Sequence, residues 1–324
     1  MKHLNVKNEE VRKLSRIGLG GARMAAAPEE GVKTIHTAID GGINFLNTAD
    51  FYNSGLIELI FRDALKSRKR EDTFISVKFG MMVDPKGIFY GIDNRPEHIK
   101  NYLTYSLKRL ETDYIDLYQP ARTDPNIPIE ETIGAISDLV KEGYVKHIGL
   151  SETNAETLRR ANAVHPISLV EMQYSLLNRE IENDLLPAVR ELGIGIVTYG
   201  VLFSGLIGDS ARAEKISVMQ SRMPDVNMNQ MNNGLSLFDQ LKHIADEKDI
   251  TMAQLAVAWV MSQGEDILAL VGSRKVEQIK DIIKADNIRL TKEDLIRIEE
   301  VIPKSQTPGY MGLKLNIDKN GLLR

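Results

Sequence analysis

Residues 16–31 read RIGLGGARMAAAPEEG, a short apolar run that ends in glycines. Apolar residues followed by G-x-G invite a dinucleotide-binding reading. That fingerprint requires a third glycine at its sixth position and a helix directly after it. Here the sixth position is Arg23, and Pro28 interrupts the helix that should follow. The run therefore does not open a Rossmann unit, and its meaning has to come from what lies around it.

Strand-like runs recur along the chain: INFLN (43–47), TFISVKF (73–79), YIDLYQ (114–119), VKHIGLS (145–151), SLVEMQ (168–173), GIVTY (195–199) and DILALVG (266–272). Segments of helical period separate them, among them PEEGVKTIHTAIDGG (28–42), PEHIKNYLTYSLKRLE (96–111), PIEETIGAISDLVKEG (128–143) and NAETLRRANAV (154–164). Pro96 and Pro128 suit first-turn positions, Gly143 suits a helix end, and Thr291 with Asp294 begins LTKEDLIRIEEV like a capping box. Strict alternation of strand and helix argues for parallel strands with helical crossovers. Counted with RIGLGG (16–21), the runs make about eight units, the number that closes a (β/α)8 TIM barrel. We expect one such domain over residues 1–324, in preference to an open doubly wound sheet. A long loop is expected at about 207–235, carrying Met219, Met223, Met228 and Met231, and a tail at about 304–324. The loop reads equally well as a surface segment and as a lid with adaptable apolar side chains.

An apolar share of 43% and a charged share of 27% describe an ordinary globular chain. The net charge of −4 and the lack of a strongly basic block argue against nucleic acid or an anionic membrane as partner. The absence of cysteine excludes disulfides and thiolate chemistry. No signal-peptide pattern or bilayer-spanning run is present, so a cytoplasmic location is expected. The six histidines are scattered without metal-ligand spacing, and no Ser-His-Asp order supports hydrolysis, so no metal site is expected.

Reactive groups crowd the end of one strand instead, in NTADFYNSG (47–55). On the next strand, alternation places Lys78 on one face with Ser76 and Phe74. A lysine cation near the Tyr52 phenol favours the phenolate. Such a pair suits protonation of a carbonyl oxygen while hydride reaches its carbon.

With NTADFY, Lys78 in ISVKFG, TDYIDLY, PIEETIGAISDLVKEGYVKHIGLSE, YSLLNREIE, LGIGIVTYG and VGSRKVEQI in order, the chain resembles the aldo-keto reductases along nearly its whole length. The resemblance implies NADP(H), with NAD(H) as the other possibility, lying across the strand C-termini. It implies an NADPH-dependent oxidoreductase that reduces small aldehydes or ketones, with Tyr52 as acid and Lys78 tuning it. Asn47 stands where the family carries the carboxylate that pairs with the lysine, so Asp50 is not its equivalent. An amide can accept from Lys78 but not neutralise it; Lys78 is thus expected to lose its proton more easily. Ala121 stands where the family has a histidine, and Gln119 or a water is the expected substitute. These two departures also allow a catalytically weak nicotinamide-binding regulatory or sensor protein.

By the same resemblance, Ser151 and Glu171 fall where the family holds the nicotinamide carboxamide, and Tyr199 where a ring stacks on the nicotinamide. Gly200, Val201, Leu202, Ser204 and Gly205 fall on the pyrophosphate. Gly272 and Ser273 lie at a helix start suited to phosphate. Arg274 suits a 2′-phosphate, beside Gln278 in place of a family basic residue.

Overall fold

The computed structural model describes residues 1–24, 27–202, 228–307, 318 and 321–322. Eight parallel strands close into a barrel in the order β1, β10, β9, β8, β7, β6, β3, β2. They are β1 (Ile17–Gly20), β2 (Phe45–Ala49), β3 (Phe74–Phe79), β6 (Ile115–Pro120), β7 (Val145–Ser151), β8 (Ile167–Gln173), β9 (Gly195–Tyr199) and β10 (Ile267–Gly272). Two more strands, β4 (Met81–Val83) and β5 (Phe89–Ile92), form an antiparallel hairpin between β3 and the next helix. The barrel strands begin and end within two residues of the runs read from sequence, and the chain is the single-domain barrel that alternation predicts.

The helices that cover the barrel include α1 (Pro28–Asp40), α2 (Leu56–Leu65), α3 (Pro96–Leu110), α4 (Ile129–Lys141), α5 (Ala155–Val164) and α6 (Leu185–Leu192). After these come α7 (Met228–Glu247), α8 (Met252–Ser262), α9 (Val276–Ile283) and α10 (Lys292–Val301). Pro96 occupies the first turn of α3, while Pro128 sits one place earlier, as the N-cap of α4. Thr291 and Asp294 exchange the two reciprocal hydrogen bonds of a capping box. One expectation needs correcting: α7 starts at Met228, inside the stretch read as a loop to 235. Asparagine and glycine at 227–235 hid that start, because they are weak helix formers. Residues 207–227 of that expected loop, with Met219 and Met223, lie outside the described residues. Among the described residues, no helix is long and apolar enough to cross a membrane.

Strand alternation sorts the apolar residues into two layers. Leu46, Ile75, Val77, Tyr118, Ile148 and Val170 face outward and pack against helix residues such as Ile35, Phe61 and Ile133. Phe45, Phe74, Leu117, Leu169, Val197 and Leu268 face inward and fill the lower barrel, plugged from below by Leu4, Val6, Val11 and Leu14 of the N-terminal segment. Two residues further along β2, β3, β6 and β8, the inward positions turn polar. Phe45 gives way to Asn47, Phe74 to Ser76 and Lys78, Leu117 to Gln119, and Leu169 to Glu171. All five polar side chains are buried. The apolar floor thus supports a polar layer at the C-terminal ends of the strands, the face on which barrel enzymes carry their chemistry.

Candidate active site

Lys78 projects into this polar layer from β3, 4% exposed. A buried ammonium is costly unless it is paired and hydrogen-bonded. Its Nζ donates to Asn47 Oδ1 at 2.6 Å, as the sequence led us to expect, and to Glu171 Oε1 at 2.7 Å. The second contact was not anticipated. Glu171 comes from β8, on the far side of the barrel ring from β2 and β3, and its Oε2 accepts from Asn47 Nδ2 at 2.8 Å and Gln119 Nε2 at 2.8 Å. Ser76 Oγ accepts from the same two amides, each at 3.2 Å. Lysine, glutamate and two amides therefore form one closed hydrogen-bonded set.

The expectation that Lys78 gives up its proton more easily is overturned. Burial alone lowers its pKa, but the charge of Glu171, then that of Tyr52, and hydrogen bonds to both outweigh burial, so the net shift is upward. Glu171 supplies the negative charge that Asn47 lacks. Nor does Gln119 stand in for the missing histidine, since its NH2 group is held by Glu171 and Ser76. Ala121 is buried and its methyl group offers no hydrogen bond. Gly149, on β7, makes room for Gln119: a Cβ there would lie 2.7 Å from Gln119 Oε1 and 3.1 Å from the Leu169 carbonyl oxygen.

Tyr52 begins a 3-10 turn (Tyr52–Gly55) that leads from β2 into α2. Its ring is half-buried, with the centroid 5.2 Å from Lys78 Nζ. The turn is made by left-handed residues in succession, Asn53 at φ 49°, Ser54 at φ 53° and Gly55 at φ 90°. Gly55 is forced by space as well as by φ, since a Cβ would meet Arg109 Nε at 2.6 Å. Phe51 packs edge-on against Tyr52 and against Phe89 of the β4–β5 hairpin, with centroids 5.1 and 5.8 Å apart. These rings give the mouth an aromatic wall. The C-terminal tail reaches the same hairpin, where Gly321 O accepts from Ile92 N at 2.7 Å.

Asp50 lies apart from Lys78's side chain. Its backbone N–H donates to the Lys78 carbonyl at 3.0 Å. Burial first, then repulsion from Glu58, pushes its carboxyl up to about 8, partly offset by Arg109. Glu58 is itself fully buried and paired with Arg109.

The remaining expected residues fall around the barrel top. Ser151 stands in register with Glu171, 1% exposed, and its Oγ has no partner among the described residues. Tyr199 ends β9 half-buried, and its hydroxyl bonds Glu152, a residue missed from sequence; burial raises that carboxyl, with Arg122 and Tyr199 offsetting part of the rise. Gly200 follows at φ 74°, its position backed by Gln173, and Val201 and Leu202 continue from it. Ser204 and Gly205 lie outside the described residues. Gly272 is exposed with open space around it. Ser273 Oγ donates to the Lys275 carbonyl at 3.0 Å, and Gln278 Oε1 accepts from Arg274 N at 3.1 Å. At the start of α9, Val276 N–H is already taken by Glu30 Oε1 at 3.1 Å.

Comparison with known proteins agrees with this geometry. The model of the aldo/keto reductase family matches residues 16–303. A probable aldo-keto reductase 1 from Glycine max is 38% identical over 322 residues, covering 96% of this chain and 92% of its own. The solved structure of the glycerol dehydrogenase AKR11B4 from Gluconobacter oxydans superposes with a TM-score of 0.84 at 26% identity, covering 97% of this chain and 98% of that one. An aldo/keto reductase from Klebsiella pneumoniae, solved in complex with NADP and acetate, has the same fold at a TM-score of 0.72 and 23% identity, covering 97% of this chain and 98% of that one. A matching family model over most of the chain, on a closed barrel with a lysine beside a tyrosine at its mouth, places the protein in the aldo/keto reductase family.

Proposed function

We propose that the protein reduces aldehydes or ketones to alcohols at the expense of NADPH, with Tyr52 as the proton donor and Lys78 as the cation that sustains it. The observation that carries this reading is the Lys78 ammonium, buried, held charged and 5.2 Å from the Tyr52 ring. Residues at the mouth fit the cofactor. Ser151 Oγ is a buried hydroxyl without a partner among the described residues, suited to a carboxamide, and the half-buried Tyr199 ring at the end of its strand suits stacking. Val201, Leu202, Gly272, Ser273 and Arg274 follow on the same barrel face, with Arg274 exposed for a 2′-phosphate. NADPH, when bound there, supplies the hydride.

Tyr52 presents its hydroxyl to the carbonyl oxygen and releases its proton as negative charge develops on that oxygen. Lys78 stabilises the phenolate that remains, and water returns the proton once the alcohol departs. Phe51 and Phe89 favour carbonyl compounds with an apolar or aromatic substituent.

The methyl group of Ala121 favours one second reading, a regulatory protein that binds the nicotinamide cofactor but turns over feebly. Incubating the protein with NADPH and a panel of aldehydes and ketones, while following cofactor absorbance, separates the two. Turnover with at least one aromatic aldehyde is expected. Tight NADPH binding without turnover on the whole panel favours the regulatory reading, and no binding refutes both.

A further inference from the structure

We infer that Glu171 is the positioning carboxylate of this site, the fixed counter-ion of Lys78, and that Asn47 is an amide because Glu171 is an acid. This rests on the proposed roles of Tyr52 and Lys78 and deepens them. The sequence resemblance assigned the lysine's carboxylate to position 47 and a carboxamide contact to position 171. In the folded protein the duties are exchanged across the barrel.

The geometry leaves little alternative. The side chains of Lys78 and Glu171 are 5% and 4% exposed, so neither charge is screened by bulk water. Glu171 Oε1 is taken by Lys78, and Oε2 by Asn47 and Gln119. Its carboxylate is therefore committed within the protein, and Ser151 is left as the polar side chain for the carboxamide. Asn47 uses both ends of its amide: the oxygen accepts from Lys78, and the NH2 donates to Glu171 and Ser76. An aspartate at 47 has no hydrogen to give. It would put a second carboxylate where 2.8 Å now separates Asn47 Nδ2 from Glu171 Oε2. Two carboxylates that close repel and disfavour each other's ionised form, so the added charge burdens the set. Conversely, a glutamine at 171 would leave Lys78 buried among amides with no anion. Each single exchange thus unbalances the set by one charge, in opposite senses, and the double exchange restores neutrality.

The groups facing Lys78 from its surroundings are few. Glu171 comes from β8 and Tyr52 from the turn after β2, while Asn47, Ser76 and Gln119 are uncharged. Asp50 contributes only its backbone N–H, and Glu152 touches Glu171 through its backbone N–H, which donates to the Glu171 carbonyl at 3.0 Å. The pH response of the lysine is therefore set by Glu171 and Tyr52.

The test is a double-exchange cycle of Glu171→Gln, Asn47→Asp and the two combined. Its readouts are kcat and KM against pH, NADPH affinity, and titration of the Lys78 amine by NMR. For Glu171→Gln we expect the alkaline limb of kcat and the Lys78 titration to move down by about one pH unit or more, as loss of an adjacent opposite charge requires. Asn47→Asp should lower kcat by about tenfold or more, since extra negative charge opposes the phenolate. The combined variant should return to within about threefold of the parent, the non-additivity of directly coupled residues.

A Glu171→Gln variant with unchanged pH profile and altered NADPH affinity overturns the inference, because Glu171 then serves the carboxamide. So does a combined variant as impaired as the product of the singles. If either single variant fails to fold, folding restored in the combined variant supports the coupling, and a combined variant that also fails refutes it. Absence of turnover in the parent protein would instead count against the reductase reading, while the Lys78 titration still decides the role of Glu171.

Discussion

Lys78 and Glu171 would each be intolerable alone at their depth, and together they are held by hydrogen bonds from and to the amides of Asn47 and Gln119. Such a set depends on its small neighbours as much as on its charges. Gly149 leaves the space that Gln119 fills, and a methyl group there must displace either the Gln119 amide or the Leu169 backbone. Gly149→Ala is expected to destabilise the fold by about 1–3 kcal/mol, the usual cost of overpacking. It should also pull the alkaline limb of activity downward by loosening Glu171, as a thermal melt and a pH–rate profile would show. A variant with normal melting and normal profile would show that Gln119 is not held by its contact with β7. At this scale the sequence was legible in part. Alternation picked out Lys78 and the family resemblance picked out Asn47, Tyr52 and Ser151, and the fold brings Asn47, Lys78 and Tyr52 together. The contact of Glu171 with Lys78 was not legible, because its reach across the barrel depends on ring closure, which pairs strands far apart in sequence. The available signal was that Lys78 and Glu171 are charged residues at inward positions of neighbouring layers.

The element that presents Tyr52 is the turn from β2 into α2, and it rests on an acidic pair. Asp50 and Glu58 share the charge of Arg109, and both have raised pKa values, chiefly from burial. Asp50, raised to about 8 in the fold against 3.8 ordinarily, holds its proton across a window in which the unfolded chain has lost it. Its stabilising contribution is therefore complete below about pH 4 and lost as pH rises toward 8, at no more than about 1.4 kcal/mol per pH unit. Melting curves of the parent and Asp50→Asn should accordingly converge or cross as pH rises from 4 to 8, the variant gaining relative stability. A stability difference that stays flat across that window would contradict this assignment. The β4–β5 hairpin escaped the sequence reading even though DPKG (84–87) is a turn signal. Its strands are only three and four residues long, too short for alternation to register.

Across the whole molecule, one construction rule does most of the work. The barrel is apolar below, where Phe45, Phe74, Leu117 and Leu169 meet the N-terminal plug, and polar one layer higher, where the same strands carry Asn47, Ser76, Gln119 and Glu171. Stability and chemistry are thereby separated by two residues along these four strands. The closed barrel was legible in sequence because strand–helix alternation is regular for most of its length. Its α7 start was not, because residues 227–235 mix methionine with weak helix formers. The proposed chemistry belongs to the upper layer alone: a Tyr52 proton delivered beside a charged Lys78 drives carbonyl reduction. The direct measurement is NADPH oxidation with a reducible aldehyde by the parent protein and by Tyr52→Phe, each with its NADPH affinity determined. A loss in kcat of about 10²–10⁴-fold is expected in the variant, the usual worth of a positioned general acid, with cofactor affinity unchanged. A Tyr52→Phe variant that turns over at the parent's rate would contradict it.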